Sequence, residues 1–159
     1  RDAQESRGLG DVYKRQDYDY VLSVFTHCTS ISAINDPFYT YRKGRADSIT
    51  GSSSVKMIEG IAYTIEKWVP ICDQMHDDRI KKDILNYLAF IYSTGFVVTG
   101  RLKGQDKNAA IQIMKKYKSV LKHAYWKKTR IIKFSANLFG YHLFSWLADK
   151  YFTITHISR

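Results

Sequence analysis

Proline is almost missing from this chain of 159 residues. Only Pro37 and Pro70 occur, so long helices are permitted over most of its length. Cysteine is equally scarce. Cys28 and Cys72 stand far apart, with no C-x-x-C pair and no Cys/His spacing of the kind that holds zinc. A disulfide framework is excluded on this count, and two reduced, buried thiols in a cytosolic protein are expected. Long apolar runs are lacking too. The least polar stretch, Tyr87 to Gly100, has 14 residues and includes Ser93, Thr94 and Thr99. A bilayer-spanning helix needs about 20 apolar residues, so this stretch reads as a buried core helix. The first residues are polar and charged, unlike a signal peptide.

What is present is a normal globular composition, 45% hydrophobic and 25% charged, with a net charge of +10. The charge is uneven. Between Lys103 and Lys133 there are ten Lys or Arg residues and one acid, Asp106. Such a surface attracts phosphate-bearing partners, whether anionic lipid, nucleotide or nucleic acid. An ordinary solvated helix face explains the lysines as well.

Residues 1–16 show no helical or strand periodicity. The stretch RGLGDVYKRQ closely resembles the translation of a sequencing-library adaptor. It is set apart as an artefact, with a genuine disordered tail as the alternative. From Asp17 to Cys28, Val21, Leu22, Val24 and Phe25 make the stripe of a short helix, with Asp17 and Asp19 in its first turn. Ser30 to Asp36 reads as a short strand, Asn35-Asp36-Pro37 as a turn, and Phe38 to Arg42 as a β-prone segment pairing with or extending that strand. Lys43 to Ser54 is a Gly/Ser-rich loop whose last serines supply an N-cap.

Four helical stripes follow. The first is Met57, Ile58, Ile61, Ile65 and Trp68, ending near Pro70. The second is Ile80, Ile84, Leu85, Leu88, Ile91 and Tyr92, running towards Gly100. The third is Ala109, Ile113, Met114, Tyr117, Val120 and Leu121. The fourth starts with Ile131, Ile132, Ser135, Leu138 and Phe139 and reaches about Tyr151. Gly100 and Gly104 punctuate the second and third. The expected fold class is α+β: a short helix and a strand pair, then a bundle of about four helices.

The order of pieces from Asp17 to Thr50 resembles the end of the catalytic domain of family 2 glycosyltransferases. Asp17-Tyr18-Asp19-Tyr20 opens the helix and Ile31-Ser32-Ala33-Ile34 is the strand. Asn35-Asp36-Pro37-Phe38-Tyr39 makes the turn, Tyr41-Arg42 follows, and Asp47-Ser48-Ile49-Thr50 closes the pattern. The match covers about a fifth of the chain. It implies residues 17–54 as the C-terminal end of a GT-A catalytic domain and 55–159 as a helical extension. It also implies a divalent metal, Mn²⁺ or Mg²⁺, held by an Asp-x-Asp motif upstream. No metal ligand is assigned within this chain.

In that family an acidic pair near this helix provides the general base. By position, Asp17 matches it. The Glu that usually precedes it is replaced by Gln16. An inverting transfer needs a carboxylate to take the acceptor hydroxyl proton, and cationic groups for the departing diphosphate. The resemblance therefore implies Asp17 as base, and Asp19 as helix cap or acceptor contact. Arg42, Lys43 and Arg45 would close over the diphosphate or an acceptor phosphate, with a plain solvated loop as the alternative. Without the resemblance, Asp17 or Asp19 reads simply as an N-cap.

The expected function is that of the C-terminal part of a hexosyltransferase-like enzyme of surface-polysaccharide synthesis. It would move a sugar from a nucleotide-sugar donor to a glycan or lipid-linked acceptor, and this length of chain alone would be inactive. The expected location is the cytoplasm, peripheral on the inner face of the membrane. The basic run would rest on anionic lipid, with Tyr125, Trp126 and Trp146 marking the interface or packing in the core. The alternative is a basic helical module that binds anionic membrane or nucleic acid without catalysis. No helix-turn-helix, zinc-finger or RNP-like motif favours nucleic acid. A helical interaction domain without chemistry is a third possibility.

Overall fold

The computed structural model describes residues 16–32, 34–36 and 53–157. These form five helices and one 3-10 turn: α1 (Gln16–His27), α2 (Val55–Asp73), α3 (Asp78–Arg101), α4 (Gly104–Lys116), the turn Lys118–His123, and α5 (Lys127–Ile157). Among the described residues there is no strand, and the α+β expectation is corrected to a helical bundle. The stretch expected as a strand is irregular around Ile31 and Ile34, and both side chains stand exposed. A strand is held by a ladder to a neighbour, and no described segment supplies one. Its expected partner, Phe38 to Arg42, lies outside the described residues, as do Ala33 and Pro37.

α3 is the central helix. Asp77 starts it by accepting hydrogen bonds from the Arg79 and Ile80 amides at 2.9 and 3.0 Å. Leu88, Ala89, Ile91, Tyr92, Phe96 and Thr99 are then shielded almost completely, as expected for a core helix. α2 and α5 pack on it, and α4 closes the side between α2 and α3. α2 runs through Pro70 to Asp73 rather than stopping there. The missing proline N–H costs one bond close to the helix end, where few remain to be lost. Ser54 takes the N-cap position in extended backbone, but its hydroxyl makes no cap bond and is buried without a partner among the described residues.

The third expected stripe is two elements, not one. α4 buries Ala110, Ile111 and Met114 while Ala109 is exposed, and Val120 and Leu121 are buried by the 3-10 turn. Gly104 does not end a helix but opens α4, at φ +54°. Gly100 does not end α3 either. It lies inside the last turn, where a Cβ would run into the Ser145 carbonyl oxygen and come within 2.7 Å of the Asp149 Cβ.

α5 packs along α3. Asn86, only 2% exposed, accepts from the Tyr125 and Trp126 amides at 2.8 and 3.3 Å and so holds the start of α5. Further on, the Tyr92 hydroxyl donates to the Met114 carbonyl at 2.7 Å and accepts from the Tyr141 hydroxyl at 2.9 Å. Burial and this bonding hold Tyr92 far above the ordinary phenol range. Phe96 meets Phe144 edge-on and Tyr141 at a tilt, and Arg101 Nε donates to Asp149 at 2.7 Å.

Gly140 breaks α5 at φ 70°, ψ 167°, a region open only to glycine. The break resets the helical phase. Before it, Thr129 and Ala136 face α3; after it, Ser145 does, flanked by Tyr141 and Ala148. In an unbroken helix Leu143, Leu147 and Ile154 would follow Ala136, being about two, three and five turns on.

The thiols differ from expectation. Cys72 is fully buried, and desolvation, reinforced by neighbouring Asp73, pushes it up to about 11. Cys28 is exposed. Labelling with a thiol reagent at neutral pH is expected to modify Cys28 alone, with Cys72 reacting only in denaturant. Rapid labelling of both in the native protein would contradict this packing.

Candidate functional site

α1 carries the two acidic residues singled out above. Leu22, 3% exposed, anchors it to the bundle, and Tyr18 packs beside the same core. Asp19 turns towards α2. It accepts from Trp68 Nε1 at 2.7 Å and from Lys67 Nζ at 2.9 Å, with its other oxygen 2.8 Å from the same ammonium. The carboxylate thus holds α1 on α2. Nothing in the stripe pattern of α2 pointed to Lys67 or to the indole N–H of Trp68 as its partners. The only available signal was that a buried tryptophan needs an acceptor for that N–H.

Asp17 is different. It is exposed in the first turn of α1, close enough to Tyr87 on α3 to act on its phenol. Burial first, then the proximity of Tyr18 and Asp17, raises the Tyr87 phenol. Tyr87 stacks near Phe90 at 6.3 Å, and Phe90 lies 5.7 Å from Trp126. Tyr125 carries Lys82 over its ring at 4.6 Å. An accessible carboxylate in the first turn of a helix can accept a proton from a bound hydroxyl. The two aspartates, read together from the sequence, are therefore separated by the fold into one accessible group and one engaged group.

Arg42, Lys43 and Arg45 lie outside the described residues. Among those described, no group of three or more His, Cys, Asp or Glu side chains could hold a metal ion. These residues do not fit Mn²⁺ or Mg²⁺, and no chemical step is assigned to a metal here. His27 Nδ1 bonds the Ser23 carbonyl at 2.7 Å, closing the end of α1. Two shallow clefts of about 230 and 250 Å³ run along α2 against α4 and the 3-10 turn. They share Glu66 and Tyr117 and include neither Asp17 nor Asp19. No described helix is long and apolar enough to cross a membrane.

Comparison with known proteins gives no match: no family model fits the chain, and no curated protein or solved structure is significantly similar to it.

Proposed function

We propose that this chain is the C-terminal part of a family 2 glycosyltransferase, acting at the cytoplasmic face of a membrane in surface-polysaccharide synthesis. The enzyme transfers a sugar from a nucleotide-sugar donor to a glycan or lipid-linked acceptor. Asp17 takes the acceptor hydroxyl proton, and Asp19, through Lys67 and Trp68, fixes the helix that presents it. Arg42, Lys43 and Arg45 serve the diphosphate or an acceptor phosphate. The divalent metal belongs to the nucleotide-binding half, and this chain alone is inactive.

One structural observation supports the reading beyond the motif order. α1 is apolar on two sides. Leu22 faces the bundle, while Tyr20, Val24 and Phe25 point away at 72%, 44% and 54% exposure, continued by exposed Ile31 and Ile34. A helix with apolar residues on both its bundle side and its outward side is suited to lie between two layers. The α/β half of a glycosyltransferase is the layer that this reading puts there, with Asp17 at its edge.

The test is transfer by the enzyme carrying its α/β half, with Asp17→Asn against the parent. The substitution is expected to remove most of kcat while leaving nucleotide-sugar binding unchanged. An unchanged kcat would remove Asp17 as the base. A non-catalytic membrane-binding module is the second reading, favoured by the outward apolar residues of α5. Nucleic acid gains no such support, because the face that the basic segment presents is apolar at its centre.

A further inference from the structure

The side chains of α5 are distributed against the usual rule. Its first half turns Thr129 and Ala136 inward and leaves Ile131, Phe134 and Leu138 outward, at 56%, 69% and 64% exposure. The spacing i, i+3, i+7 makes these three a single line opposite the buried pair. This overturns the expectation that Ile131 and Leu138 face the core. The second half repeats the arrangement. Because Gly140 resets the phase and both halves lie on α3, Leu143, Trp146, Leu147 and Ile154 also point away from the bundle, while Ser145 is buried. Ile132, Tyr141 and Phe144 pack against the core, yet a surface helix that leaves this many other large apolar residues outside is set up for something other than water.

Its charge says what. The sequence has no carboxylate between Asp106 and Asp149. Lys127 lies on the outward line itself, Lys128 and Arg130 flank it, and exposed Tyr125 and Trp126 stand at the entrance. Apolar residues along the centre, cations and aromatic rings at the edges, and too little length of apolar helix to span describe a helix lying in a bilayer interface. Pairing with a second copy would bring this cationic segment against a face that offers no opposing carboxylate; Asp149 is already bound to Arg101.

We infer that the outward face of α5 is a docking surface for an anionic phospholipid bilayer, with Ile131, Phe134, Leu138, Leu143 and Trp146 entering the interface and Lys127, Lys128 and Arg130 meeting lipid phosphates. The inference stands on α5 and does not depend on the catalytic reading. Lipid binding is measured on this chain as it is, and transfer is not.

The experiment is flotation of the chain with phosphatidylcholine vesicles, with and without phosphatidylglycerol. The chain is expected to float with the mixed vesicles, about tenfold less with phosphatidylcholine alone, and progressively less at high salt. Trp126 and Trp146 fluorescence should shift to the blue on binding. The double variant Phe134→Glu/Leu138→Glu, at positions exposed in the free protein, should keep its circular dichroism and lose at least about tenfold in binding. Equal flotation of parent and variant would overturn the inference. So would absence of binding to mixed vesicles, including the case in which the parent instead dimerises and the variant does not.

Discussion

Replacing Trp68 by alanine is expected to destabilise the protein by about 3–5 kcal/mol, a large part of the stability of a domain of this size. Two losses combine. Trp68 is 3% exposed in the main cluster with Ile65, Leu85 and Leu88, so truncation leaves a cavity under α1. Its Nε1–H also leaves Asp19, whose carboxylate loses a part-buried donor and retains Lys67. Trp68→Phe separates the two, since it fills most of the space and removes only the hydrogen bond; about 1.5–3 kcal/mol is expected for a bond to a charged acceptor. Urea unfolding followed by far-ultraviolet circular dichroism reads both. A cost below about 1 kcal/mol for the alanine variant would mean that α1 is not docked through this contact.

Gly100→Ala is the second large effect, and its sign is informative. Inside a solvent-exposed helix the change stabilises by roughly 1 kcal/mol. Here the new methyl group meets the Ser145 carbonyl, which is backbone and cannot rotate aside, and the Asp149 Cβ. Relief requires α5 to move off α3, at a cost of about 1–3 kcal/mol for overpacking, and the Arg101–Asp149 bond stretches with it. The same substitution at Gly95 meets only the flexible end of Met114 at 3.2 Å and the Ile58 methyl at 3.5 Å, so it is expected to be much milder. A thermal melt in which Gly100→Ala matches or exceeds the parent would show that α3 and α5 do not cross this closely.

Helices α1, α2 and α3 were legible because their apolar spacing agrees with what they bury: Leu22, Ile58, Ile61, Ile65, Leu88 and Ile91 are all inside. Val24 and Phe25 of α1 and Ile80, in the first turn of α3, are exceptions, at 44%, 54% and 49% exposure. The fourth stripe misled for a different reason. Periodicity shows which residues share a face but not whether that face meets the protein or another phase. Ile131 and Leu138 share a face that points outward. The phase reset at Gly140 is likewise invisible to any window that assumes one continuous helix. The strand expected at Ser30–Asp36 rested on local β propensity, which needs a partner to take effect. At the candidate site, the sequence placed Asp17 and Asp19 in one helical turn. The resemblance gave them different roles, but the partners of Asp19 were not legible, because they lie 48 and 49 residues away on α2.

The central proposal is that Asp17 belongs to the catalytic motif of a glycosyltransferase. Sequencing the source DNA through the codons of residues 15–19 and onward in the 5′ direction tests it most directly. The account predicts a Glu codon in place of Gln16 and, roughly a hundred residues earlier, a domain-sized distance, an Asp-x-Asp motif in the same frame. A genuine start codon directly ahead of residues 1–16 would contradict it and leave the lipid-facing helix α5 as the feature that defines this protein.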